Sequence, residues 1–65
     1  MFIREARVKA SLSQAELGRR VGMDQSGISR LERGERPLTV AMLMSLAAVL
    51  GVSPASLLEE EDKAA

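Results

Sequence analysis

The amino-acid sequence predicts an all-α fold, a compact bundle of five short helices. Aromatic residues make up only 2% of the chain, and apolar and polar residues nowhere alternate over the length of a strand. Serine, threonine or aspartate stands before each of the later helical stretches, and glycine follows most of them, as helix caps require. Because a chain of 65 residues has room for one hydrophobic core, we expect a single domain over residues 1–58.

The first two helices are predicted on either side of a short break. The first covers about residues 2–10, where apolar side chains stand among charged ones. The second begins after Ser13, and Glu16 follows three residues later, which is the spacing of a capping box. Gly22 stands where this helix should end, because glycine is favoured just past a helix C-terminus.

A third helix is predicted directly afterwards. Asp24 is its expected N-cap, Ile28 and Leu31 lie on one face, and Gly34 ends it. The turn between the second and third helices is therefore short. We place Gly18 at the point where the two helices cross, since the lack of a Cβ permits close approach.

The fourth and fifth helices complete the bundle. Thr39 is the predicted N-cap of a helix over Val40–Leu50, which Gly51 closes. Ser53 caps the last helix, with Pro54 at its first position, where a missing backbone N–H costs nothing.

The residues that are absent from the sequence argue against several classes of function. The chain has no cysteine and no histidine, so disulfides and zinc-finger sites are excluded, as are cysteine or histidine nucleophile–base pairs. We expect no enzyme activity, no cofactor and no small-molecule ligand. No apolar stretch approaches the roughly 20 residues that cross a bilayer, so we predict a cytoplasmic protein without a membrane partner.

The charged residues are distributed unevenly, although the net charge of the chain is zero. Residues 1–58 carry eight cationic and five anionic side chains, and seven of these cations are arginine. Arginine suits bidentate contacts to phosphate and guanine. Residues 59–65 are acidic, and we expect them to form a disordered tail.

The segment from Gln14 to Gly34, QAELGRRVGMDQSGISRLERG, contains two short helices joined by a glycine-containing turn, the ingredients of a helix-turn-helix. With the LSQAEL entry at residues 12–17, the ISRLERG run at 28–34 and the LAAVLGVS stretch at 46–53, the chain resembles the Xre/Cro family of helix-turn-helix regulators, which includes phage repressors. The likeness covers about residues 2–58. It departs at Gly18, where the family usually has alanine, and at Ser11, where it often has glycine.

The resemblance implies a lambda-repressor-like DNA-binding fold and a transcriptional regulator of double-stranded DNA. The third helix, residues 24–33, would then lie in the major groove. The helical period, with Ile28 and Leu31 turned toward the core, independently places a polar face of this helix outward. The implied base-reading residues are Gln25, Ser26, Ser29 and Arg30, and the implied phosphate-binding residues are Gln14, Arg33 and Arg36. In the family, the positions of Arg7 and Glu32 form a structural salt bridge between the first and third helices.

The fourth helix has more apolar residues than one core face requires. We assign Val40, Leu43, Met44, Leu46, Ala47 and Leu50 to the core. A second, largely apolar face remains for a dimer interface, formed by Ala41, Met42, Ser45, Ala48 and Val49. We therefore expect a homodimer on a palindromic operator.

The alternative function is a protein-interaction module, such as an antitoxin that neutralises a partner protein. An RNA-binding role ranks third, because the chain lacks a base-stacking platform.

Overall fold

The computed structural model describes residues 2–58, which form five helices and no strand. The four longer helices are α1 (Ile3–Lys9), α2 (Gln14–Val21), α3 (Gln25–Glu32) and α4 (Val40–Leu50), and a short α5 follows over residues 54–58. The predicted all-α, five-helix fold is therefore confirmed. The predicted acidic tail, residues 59–65, lies outside the described residues.

The predicted N-caps of α2, α3 and α4 are present and explain why these helices begin where they do. Ser13 and Glu16 form the complete capping box at α2. The Asp24 Oδ1 atom accepts from the backbone N–H of Gly27 at 2.8 Å, and the Thr39 hydroxyl accepts from that of Met42 at 3.1 Å. Each of these bonds satisfies a backbone donor that the first helical turn leaves without a partner.

One hydrophobic core joins all five helices. Its members are Ile3, Leu17, Ile28, Leu31, Leu46, Ala47, Leu50 and Leu57, which are at most 8% exposed. Among the described helices, α2 and α3 share the most extensive contact. A Cβ atom on the buried Gly18 would stand 2.5 Å from the backbone oxygen of Met23, so only glycine permits this approach.

The structure corrects the predicted face of α4. Val40 and Met44, which we assigned to the core, are 77% and 55% exposed, whereas Met42 and Val49, which we assigned to a dimer interface, pack partly against the core. In an almost wholly apolar helix the spacing of apolar residues does not show which side is buried, because no polar face opposes it. The outward face, here called the α4 outer face, consists of Val40, Ala41, Met44, Ser45 and Ala48.

The turn after α1 carries a strained backbone. Ser11 has a φ of 60°, while the backbone N–H groups of Ser11 and Leu12 donate to the carbonyls of Val8 and Arg7. This is a Schellman motif, whose left-handed position favours glycine. The first helix, predicted over about residues 2–10, spans Ile3–Lys9, with Ala10 as its C-cap.

Replacing Ser11 with glycine should stabilise the fold by up to about 1 kcal/mol, because glycine adopts the left-handed conformation without a steric penalty. Urea denaturation measures the effect. The matched control is Ala10→Gly, one residue earlier, where φ is −82° and glycine only adds freedom to the unfolded chain. If Ser11→Gly lost as much stability as Ala10→Gly, the left-handed conformation of Ser11 would not be strained.

None of the helices in the described part of the chain is long and apolar enough to cross a membrane.

Candidate nucleic-acid interface

The outward side of α3 forms a shallow polar depression. Its lining residues come from α3, its N-cap, its C-cap and the first turn of α2, and they are Gln14, Asp24, Gln25, Ser26, Ser29, Arg30 and Arg33. The opposite side of α3 buries Ile28 and Leu31 in the core. Because the burial of these two aliphatic side chains sets the rotation of α3, its amide, hydroxyl and guanidinium groups all face outward.

Behind this surface, Arg7 of α1 and Glu32 of α3 form an ion pair. The Arg7 Nε atom donates to Glu32 Oε2 at 2.6 Å, and the side chains are 12% and 5% exposed, respectively. A second nitrogen of Arg7 donates to the Leu12 carbonyl at 2.9 Å. The pair therefore joins α1, the following turn and the end of α3.

The same carboxylate orients Gln14. The Gln14 Nε2 atom donates to Glu32 Oε1 at 3.0 Å, and Gln25 Nε2 approaches Gln14 Oε1 at 3.5 Å. A chain of polar contacts thus runs from the largely buried ion pair to the exposed first residue of α3. This chain sets the position of Gln14 at the rim of the depression.

Arg33 and Arg36, which sequence reasoning grouped together, lie in different surroundings. The Arg33 guanidinium donates to the Ser29 hydroxyl at 2.9 Å and to the Glu35 carboxylate at 3.1 Å. The Arg36 guanidinium instead lies beside the first turn of α3, where a Cβ on Gly27 would stand 2.9 Å from its Nη1 atom.

Two residues beside this surface differ from the sequence expectation: the resemblance implies that Gly27 could allow close approach to the bases, and Glu35 was not predicted as part of the surface. Gly27 is buried, because the ends of the Met23 and Arg36 side chains cover it. Glu35 contacts Arg33, although the sequence offered only their spacing of two residues across Gly34 as a signal. Both contacts depend on where the loop after α3 turns, which the α3 pattern itself does not reveal.

Asp24 places a negative charge in the depression. Its pKa is lowered from the ordinary aspartate value, chiefly because the carboxylate accepts from the backbone N–H of Gly27, with a smaller contribution from the Arg30 guanidinium. Asp24 is therefore ionised near neutral pH and serves the helix as its N-cap. Within residues 2–58, no group of three metal-binding side chains occurs.

Comparison with known proteins gives a helix-turn-helix family and one similar transcriptional regulator. A family described as helix-turn-helix matches residues 3–57. A protein of Sinorhizobium fredii (strain NBRC 101917 / NGR234), named as the uncharacterized HTH-type transcriptional regulator y4dJ, is 44% identical over 62 residues, which cover 95% of this chain and 79% of that protein.

A solved structure is also similar. It is the restriction-modification controller protein C.AhdI from Aeromonas hydrophila, at 34% sequence identity and a TM-score of 0.79. The match covers 85% of this chain and 80% of the controller protein. The likeness therefore extends over most of the five-helix body.

Proposed function

The chain belongs to the Xre/Cro-like helix-turn-helix family of DNA-binding transcriptional regulators, and from that membership we propose that it binds a palindromic operator as a homodimer. It is a regulator and not an enzyme. Because its ligand is double-stranded DNA, we place its action in the cytoplasm. Recognition needs no cofactor in this proposal, since every contact comes from the side chains of the chain itself.

The observation that carries the proposal is the polar depression on α3. Gln25, Ser26 and Arg30 are exposed there, while the other side of the helix is fixed in the core. An α-helix fits the major groove, where glutamine can pair with adenine and arginine with guanine. We assign base contacts to Gln25, Ser26 and Arg30, with Ser29 at the edge of the same surface.

Phosphate contacts would position the protein on the duplex. Gln14 stands at the rim of the depression at the first turn of α2, where backbone N–H groups and the helix dipole favour an anion. Arg36 is exposed beside the first turn of α3. These two side chains carry no base information in this proposal; they set the register of α3 in the groove.

Enrichment of a random duplex library on the purified protein at about 150 mM salt tests the proposed function, because non-specific electrostatic binding is weakened at that concentration. We expect an inverted repeat whose half-sites are about one helical turn apart. Recovery of no motif would overturn sequence-specific binding.

On the recovered operator, Arg30→Ala should cost about 1–3 kcal/mol of binding free energy and relax the preference at one base position. Arg36→Ala should weaken binding to all duplexes alike and reduce the salt dependence by about one counterion. The charge-matched control is Arg4→Ala, because Arg4 is exposed on α1 and does not line the depression. Equal losses on every duplex for Arg30→Ala and Arg36→Ala would contradict this division of roles.

The α4 outer face supports the homodimer. Val40 and Met44 are large, apolar and exposed, and Ala41 and Ala48 extend the patch beside them. An exposed apolar surface of this kind favours burial against a partner, and a second copy offers the same surface by two-fold symmetry. We assign the interface to this face, and Met42 and Val49 contribute only the parts of their side chains that the core leaves open.

Met44→Glu should convert the dimer to a monomer and weaken operator binding, because a carboxylate would be buried at the interface. Sedimentation equilibrium measures the change. Val8→Glu is the control, since Val8 is 59% exposed on α1 and does not belong to the α4 outer face. A wild-type chain that sediments as a monomer and co-purifies with another protein would favour the antitoxin-like alternative.

A further inference from the structure

The Arg33 guanidinium is held from two sides. Ser29, one turn earlier on α3, accepts from Nη1 at 2.9 Å, and Glu35, beyond the end of the helix, accepts from Nη2 at 3.1 Å. The position of Glu35 is set by the backbone, because Gly34 has a φ of 74° and the Glu35 N–H donates to the Arg30 carbonyl at 2.8 Å. This Schellman turn directs the chain back toward α3.

We propose that Arg33 reads a guanine in the major groove and does not clamp a phosphate, and that Glu35 is a positioning residue for this reading. The inference rests on the proposed function and assigns a second specificity residue to the same surface. It replaces the phosphate role that the family resemblance implies for Arg33.

The direction of the guanidinium is the first argument. The bond to Ser29 draws it back along α3, and Arg33 therefore lines the same depression as Gln25, Ser26 and Arg30. A guanidinium has five N–H donors in a rigid plane. Two are used by Ser29 and Glu35, so one N–H remains on each terminal nitrogen. Two such donors match the O6 and N7 acceptors of guanine.

The charge of Glu35 is the second argument. A phosphate that approached Arg33 would also approach a carboxylate 3.1 Å from the same guanidinium, and the like charges would repel. The guanine edge offers neutral acceptors and meets no such repulsion. A fixed, bidentate fork next to an acidic residue therefore favours a base over a phosphate.

The Arg33–Glu35 pair contributes little to folding, so a change in DNA binding by its variants can be separated from a loss of stability. The two side chains are 56% and 57% exposed, and ion pairs in such positions contribute little to stability. Variants at either position should fold, which circular dichroism and thermal melting can verify before binding is measured.

The test repeats the library enrichment with Arg33→Lys, Arg33→Ala, Glu35→Gln and a charge-matched control, Glu5→Gln on the exposed side of α1. We expect Arg33→Lys to lose about tenfold in affinity for the operator and to lose the guanine preference at one position, because lysine keeps the charge but not the fork. Glu35→Gln should weaken the preference at that same position while its binding to random duplex stays equal or rises. Glu5→Gln should leave the motif unchanged.

An unchanged motif and affinity in Arg33→Lys, together with an equal loss on all duplexes in Arg33→Ala, would overturn the inference and restore the phosphate role. A motif in Glu35→Gln identical to that of the wild type would overturn the positioning role of Glu35. A wild-type protein that enriches no motif overturns the proposed function itself.

Discussion

Arg7→Met should lower the free energy of unfolding by about 3–5 kcal/mol, because it leaves the Glu32 carboxylate largely buried without its cation. A chain of this size has a total stability of roughly 3–10 kcal/mol at the usual values per residue. The variant should therefore be partly or wholly unfolded at 37 °C. Urea denaturation followed by circular dichroism measures the loss.

The double variant Arg7→Met with Glu32→Leu separates the causes of this loss. Replacing both members of a buried ion pair with apolar side chains is often neutral or stabilising, so the double variant should recover most of the stability. It should still bind DNA more weakly than the wild type, since Gln14 loses its acceptor at Glu32. A double variant as unstable as Arg7→Met would assign the loss to the Arg7 bond with the Leu12 carbonyl.

Gly18→Val should destabilise the fold by about 3 kcal/mol, at the upper end of the cost of overpacking. The added Cβ would stand 2.5 Å from the Met23 backbone oxygen and 3.3 Å from that of Asp24. Relief would require α3 to move away from α2, because neither oxygen belongs to a flexible side chain. Chemical denaturation gives the stability, and DNA binding should fall with it.

A pair of alanine variants controls for helix propensity. Gly18→Ala and Gly27→Ala both replace a buried helical glycine, and alanine favours a helix over glycine by about 1 kcal/mol. At Gly27 the nearest contacts are the ends of the Arg36 and Met23 side chains, which can move. We expect Gly18→Ala to be clearly less stable than Gly27→Ala. Equal stabilities would show that the backbone of the α2–α3 turn shifts at little energetic cost.

The Gly18 prediction also shows where resemblance to a family misleads. Alanine is usual at this position in the family, so the resemblance alone predicts that alanine is harmless. In this chain the Met23 carbonyl occupies the space of a methyl group. The glycine itself predicts a close approach of α2 at this point, and the distances show that the segment it approaches is the turn at Met23 and Asp24.

The helix boundaries and the polar face of α3 could be predicted from the amino-acid sequence. The caps at Ser13, Asp24 and Thr39 could be predicted because capping depends on side chains within three residues of the backbone groups they satisfy. The polar face of α3 could be predicted because Ile28 and Leu31 are its only large apolar side chains, and burying them leaves one outward side.

The buried face of α4 and the surroundings of Arg33 and Arg36 depend on tertiary packing. A helix that is apolar on all sides has no preferred rotation until its neighbours pack against it, so the exposure of Val40 and Met44 could not be derived from its period. The contacts of Arg33 and Arg36 depend on the path of the loop after Gly34. Long side chains on a turn reach partners that backbone direction selects, and local sequence patterns carry little information about that direction.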